Sequence, residues 1–116
     1  MPRIVVHDVE GCASFLRSVF GAEGEVFTDR PAQLLIGDST VMISSLGERE
    51  HFPAFLYIYV DDTDETYRRA VGARAQVIEA PADQFYGDLR AMVKDSHGNV
   101  HQIATPIASI GDPKRP

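Results

Sequence analysis

The chain has 116 residues, 44% of them hydrophobic, enough to bury one compact core and too few for two independent domains. With 17 acidic against 11 basic residues the formal charge is −6, which argues against nucleic acid as a partner, because phosphate binding needs clustered Lys and Arg. No apolar run approaches a membrane span, and the opening MPRIVVHDVE lacks the charged-then-apolar build of a secretory signal, so a cytoplasmic protein without a membrane partner is expected. Cys12 is the single cysteine, which excludes an intrachain disulfide and a thiolate metal cluster. Its place on a helix favours buried packing over a nucleophilic role assisted by His7.

In chain order, IVVHDVEGCASFLRSVFG reads as a β-branched strand, then Asp8 as a helix cap, then Cys12, Phe15, Leu16, Val19 and Phe20 at helical spacing, with Gly21 as the stop. Three strand-like runs follow, GEVFTD, AQLLIG and TVMISS, separated by turn signals at Arg30-Pro31 and Gly37-Asp38-Ser39. Residues 1–46 thus form a β-α-β-β-β module, and the polar stretch 47–53 is a linker whose His51 is an ordinary loop histidine. Residues 54–105 repeat the plan: IYVDDTDETYRRAVGA gives a strand, a cap at Asp62 and a helix, and QVIEAP, LRAMVKD and NVHQIAT give three strands. Asp62 stands 54 residues after Asp8, although identity between the halves hardly exceeds Ile4 with Ile58 and Val6 with Val60. Residues 106–116, with three prolines in PIASIGDPKRP, are expected as a flexible tail.

Within the second module the run AFLYIYV alternates an aromatic face, Phe55, Tyr57 and Tyr59, with an aliphatic one, Leu56, Ile58 and Val60. Successive strand side chains point to opposite faces. The aliphatic face suits a core beneath a helix; the aromatic face suits a surface that holds a flat ligand, or else a set of cross-strand pairs that stabilises the sheet.

The order of elements, together with HDVEGCASFLRSVFGA, YVDDTDETYRRAV and FYGDLRAMVKDSHGNVHQIAT, resembles the vicinal oxygen chelate superfamily of glyoxalases, bleomycin-resistance proteins and extradiol dioxygenases. The GD of FYGD and the ending QIAT are most similar to the bleomycin-resistance-like branch. The resemblance implies an α+β fold of two βαβββ modules, whose curved mixed sheets surround a cup completed in a homodimer. One departure is Arg74, where the family places the glycine that ends the second helix; with glycine at Gly72 instead, the helix is expected to stop half a turn early.

Metal-dependent members carry one ligand on each of four strands. By the resemblance those positions fall at Met1, Met42, Phe55 and Gln102, of which only Gln102 could coordinate, so neither metal nor other cofactor is expected, and the superfamily's Lewis-acid reactions lose their electrophile. His97 and His101 have the spacing of two ligands on one helix face, but they flank a Gly98-Asn99 turn, and His101 and Gln102 point to opposite faces.

If Phe55 and Gln102 face the cup, alternation adds Tyr57, Tyr59, Val100 and Ala104. The neighbouring strands offer Gln33 and Leu35, Met42 and Ser44, and Arg90 and Met92, an aromatic and thioether surface in which Arg90 can stack on a ring or pair with a carboxylate. Phe85 and Tyr86 form a lid, or a plug for the sheet edge. No catalytic residue stands out. The expected function is metal-free sequestration of a planar aromatic compound, an antibiotic among the candidates; the alternatives are a metal-independent isomerase or lyase and a structural or regulatory dimer.

Overall fold

The computed structural model describes residues 3–28, 30–45 and 53–110. The elements run β1 (Arg3–Val6), α1 (Val9–Phe20), β2 (Ala32–Ile36), β3 (Ser39–Ser45), β4 (Phe55–Tyr59), α2 (Thr63–Gly72), β5 (Gln76–Asp83), β6 (Asp88–Lys94), β7 (Val100–Pro106) and a 3-10 turn (Ile107–Ile110). They build two mixed sheets, a three-stranded one in the order β1-β3-β2 and a four-stranded one in the order β4-β7-β6-β5. Parallel pairs β1–β3 and β4–β7 start each sheet, and the other pairings are antiparallel. The α+β class and the doubled plan expected from the sequence are both present.

Both helices start where the aspartates predict. The side chain of Asp8 accepts from Gly11 N at 2.9 Å and that of Asp62 from Glu65 N at 3.1 Å, satisfying first-turn donors that have no partner within the helix. α1 buries Cys12, Ala13, Phe15, Leu16 and Val19 against β2 and β3, α2 packs on β5, β6 and β7, and the helices touch each other. One continuous core results, with Ile4, Val6, Leu34 and Ile43 from the first sheet and Val93 and Ile103 from the second. Among the described residues no helix is long and apolar enough to cross a membrane.

Three local expectations change. GEVFTD is not a strand over its described residues 24–28: the one antiparallel bridge falls just before it, Glu23 with Leu35, and Gly24 at φ 145° has a conformation that ends the pairing. α2 is not cut short at Gly72. Its last turn closes with Arg74 N to Val71 O at 2.9 Å and Ala75 N to Ala70 O at 3.0 Å, a Schellman pattern whose left-handed position, φ 70°, is held by Arg74. The stretch expected as a free tail is regular up to residue 110, since Pro106 closes β7 and the 3-10 turn follows. The linker expected at 47–53, with His51, lies outside the described residues apart from its last position.

A buried polar cluster joins the modules. Asp95 Oδ1 accepts from His97 N and Asn99 N, both at 2.9 Å, while its Oδ2 takes Asn99 Nδ2 at 3.1 Å and His101 Nε2 at 2.8 Å. Asn99 Oδ1 accepts from Ala54 N at 2.9 Å, which pins the start of β4. The fully buried His101 ring lies 5.3 Å from Phe15 and 5.5 Å from Phe20 of α1. Burial alone would raise the Asp95 pKa, but the His101 contact and the Asn99 hydrogen bonds outweigh it and hold the carboxyl below its usual range. Cys12, against Asn99 Nδ2 at 3.9 Å, has its thiol pushed up to about 12 by burial and by the charges of Asp95 and Asp8; it packs and does not react.

Asp95→Ala would strand buried donors on Asn99 and His101, and we expect a loss of about 3 kcal/mol in urea denaturation; a loss under about 1 kcal/mol would deny the cluster its structural role. A folded pKa below the unfolded one means that this stabilisation is complete at neutral pH and drains away as pH falls below about 4, so Asp95→Asn should flatten the acid limb of the stability profile. Arg74→Gly, which relieves the left-handed backbone, should add about 0.5–1 kcal/mol.

Candidate functional site

Register decides what faces outward on the four-stranded sheet. Leu56 and Ile58 oppose His101 and Ile103 on the helix side, whereas Phe55, Tyr57 and Tyr59 oppose Val100, Gln102 and Ala104 on the other. On β6 the same outer face carries Asp88, Arg90 and Met92, with Met92 opposite Gln102 and Arg90 opposite Ala104. The three rings of β4 stay open, with exposures of 66% for Phe55, 37% for Tyr57 and 60% for Tyr59. Left uncovered, such rings are unusual on a folded surface.

Hydrogen bonds give the face a polar backing. Tyr57 donates to Asp88 Oδ2 at 2.5 Å and Tyr59 donates to the same oxygen at 3.0 Å, while Tyr57 and Tyr86 hydroxyls meet at 3.2 Å. The two rings are thereby fixed 5.3 Å apart at an interplanar angle of 57°. Burial first, and then the bond to Asp88, drives the Tyr57 pKa well above the usual phenol range; for Tyr59 the bond to Asp88 is the main cause of a rise. Beside them Arg90 donates to Gln102 Oε1 at 3.0 Å and pairs with Glu79 Oε2 at 2.6 Å. An open cleft of about 480 Å³, lined by Tyr59, Val60, Asp61 and Pro106, continues from the Tyr59 end of the sheet.

The expected site residues divide accordingly. Phe55, Tyr57, Tyr59, Arg90, Met92 and Gln102 share one face, with Tyr86 joined to it through Tyr57. Arg90 directs its two terminal nitrogens to Gln102 and to the carboxylate of Glu79. Phe85 is 100% exposed and stands edge-on to Tyr86 at 5.2 Å. Leu35 and Met42 sit on the outer face of the other sheet, where Met42 Sδ accepts from Arg3 at 2.9 Å, so one chain does not place them in a single wall with the rings. Asp88 and Glu79 were missed. Asp88 was within reach, because the alternation that puts Arg90 and Met92 on this face puts Asp88 there too.

The family model described as Glyoxalase/Bleomycin resistance protein/Dioxygenase superfamily matches residues 2–103. The chain belongs to this superfamily. Its fold is similar to that of TioX from Micromonospora sp. ML1, with a TM-score of 0.79 at 22% identity over 90% of this chain and 94% of that one. It is also similar to a lactoylglutathione lyase from Agrobacterium tumefaciens, with a TM-score of 0.73 at 17% identity over 91% of each chain. For the fosfomycin resistance protein FosX from Mesorhizobium loti the TM-score is 0.66 at 23% identity, over 89% and 86% of the two chains. Among curated sequences, proteins of Mycobacterium bovis and Mycobacterium tuberculosis are 29% identical over 76 residues, 66% of this chain. The match spans 48% and 43% of those longer proteins.

For this superfamily member, the four positions that carry metal ligands in metal-dependent relatives make a poor donor set. Met1 lies outside the described residues, Met42 sulfur accepts from Arg3, Phe55 has no donor atom, and Gln102 Oε1 is taken by Arg90. Among the described residues no group of three or more His, Cys, Asp or Glu side chains is gathered for an ion. A catalytic divalent cation needs several anionic or imidazole ligands, and these residues do not supply them.

Alkaline difference spectroscopy should show the Tyr57 and Tyr59 phenols ionising above the usual value near 10, and Asp88→Asn should bring both midpoints down. The sign follows from linkage: a raised folded pKa stabilises below the unfolded value and the contribution is lost as pH climbs through the folded one. Superimposable titrations of wild type and Asp88→Asn would contradict the hydrogen-bonded arrangement.

Proposed function

We propose that this protein is a metal-free, cytoplasmic small-molecule-binding protein that sequesters a planar aromatic compound, an antibiotic among the candidates in drug or self-resistance. The observation that carries the reading is the set of exposed rings of Phe55, Tyr57 and Tyr59 on a sheet face whose opposite side is packed under the helices. A flat guest gains stacking and dispersion there and displaces poorly held water. The working form is a homodimer, in which the outer face of the three-stranded sheet, with Leu35 and Met42, covers the aromatic face of a second copy and completes the cup.

A metal-independent isomerase or lyase is the second reading, favoured by one observation: Asp88 is an acid on the aromatic face, and would serve as its base. Turnover of a bound compound, followed by mass spectrometry, separates the two. A purely structural dimer has no use for rings left this open.

In calorimetric titration with a planar compound taken from a screen, Tyr57→Ala should weaken binding by about 0.5–1.5 kcal/mol beyond lost area, several-fold to over tenfold, with little change in melting. Ile58→Ala, half-buried on the opposite side of β4, should instead cost about 1 kcal/mol of stability and leave affinity alone. The inverse pattern would place the site on the wrong face. In sedimentation at micromolar concentration the protein should run as a dimer; a species near the 12.8 kDa chain mass would leave the cup to be closed within one chain.

A further inference from the structure

Two phenols that donate into one carboxylate are not ordinary aromatic walls. Tyr57 and Tyr59 both end on Asp88 Oδ2, at 2.5 and 3.0 Å, and a phenol hydrogen bonded to an anion gains electron density in its ring. The ring face becomes more negative, and its attraction for a cation lying over it rises. Asp88 itself is nearly buried, forms no salt bridge among the described residues, and receives no described donor at Oδ1. The neighbouring cation, Arg90, is already paired with Glu79 at 2.6 Å. A second carboxylate, Asp61, lines the cleft of about 480 Å³ that opens beside Tyr59, and Pro106 of that cleft stands opposite Asp88 in the β6–β7 register. Ring pair, backing charge and cleft thus share one end of the sheet, and a chain of net charge −6 favours the approach of a cation.

We propose, resting on the sequestration reading above, that the guest is an organic cation: a planar ring system carrying a quaternised or protonated nitrogen, held over the Tyr57 and Tyr59 rings with Asp88 behind them and a substituent reaching toward Asp61. Phe55 supplies apolar contact at the far end, and the Phe85–Tyr86 turn closes over the charged part. Hydration of the cation is replaced by π faces and by fixed carboxylate charge, so charge selects among guests of equal shape.

The test compares two probes of nearly the same shape, N-methylacridinium, a cation at the assay pH, and acridine, which is neutral there. Affinities are measured by fluorescence titration at pH 8 for the wild type, Asp88→Asn and Asp61→Asn. The wild type should prefer the cation by about tenfold. Asp88→Asn, whose side-chain carbonyl still accepts a phenol, should weaken the cation far more than acridine and so erase most of that preference. Should Asp88→Asn fail to fold, the wild-type preference and its reduction in Asp61→Asn decide the matter. Equal wild-type affinity for both dyes overturns the cationic guest and leaves sequestration of planar compounds standing. Failure of both dyes to bind at millimolar concentration overturns the cationic guest and the sequestration reading together.

Discussion

The outward-facing chemistry of this molecule depends on one buried carboxylate. Asp95 ties the β6–β7 turn together and binds His101 of β7, and through Asn99 it also reaches the first residues of β4. A strand that slips by one residue turns its whole side-chain set over. By fixing where β7 starts against β4 and β6, the cluster decides that His101 and Ile103 lie beneath the helices and that Gln102 lies on the open side. It also ties the modules to each other, since the His101 ring is held between Phe15 and Phe20 of α1. A carboxylate in a core is costly unless every lone pair is used; here four donors meet it, and the cost is offset by a register with no close competitor.

The open side then follows from geometry. Edge strand β4 brings three rings, β7 brings small residues and Gln102, and β6 brings an acid and a base in alternate positions. Pairing of Arg90 with Glu79 and Gln102 quenches the positive charge within the wall, while among the described residues the Asp88 carboxylate accepts from neutral phenols. The face is therefore aromatic with a residual negative character, and not a balanced polar surface. Register shifts in β5 between Val77, Glu79 and Ala82 loosen the far edge of the sheet, which lets Glu79 reach Arg90.

Much of this was legible in the sequence, and particular residues show why. Period-two alternation in AFLYIYV separated the ring face from the aliphatic face, because strand geometry allows no other assignment once one face is buried. The caps at Asp8 and Asp62 marked both helices, since short acidic side chains complete the first turn. What stayed hidden depends on pairing between distant segments. Asp88 reads as a turn residue after glycine, and only register with β7 and reach from β4 reveal that two tyrosines converge on it. Arg90 looked available because its partner Glu79 sits on a bulged neighbour. Leu35 and Met42 fell on the expected alternation but on a different sheet from the rings, a separation that residue spacing does not encode. GEVFTD had a strand's composition, yet its described residues 24–28 form no strand and the one bridge falls at Glu23 just before it, as backbone conformation at Gly24 ends the pairing.

The central claim is that the face of Phe55, Tyr57 and Tyr59 is where a planar guest lies. Its most direct test is nuclear magnetic resonance of the aromatic side chains during titration with a planar aromatic compound that binds. Ring-current shifts and intermolecular contacts should concentrate on the ring protons of those three residues, with Tyr86 and Met92 at the margin. Shifts confined to the helix side, at Phe15 or Phe20, with the three β4 rings unmoved, would contradict the account.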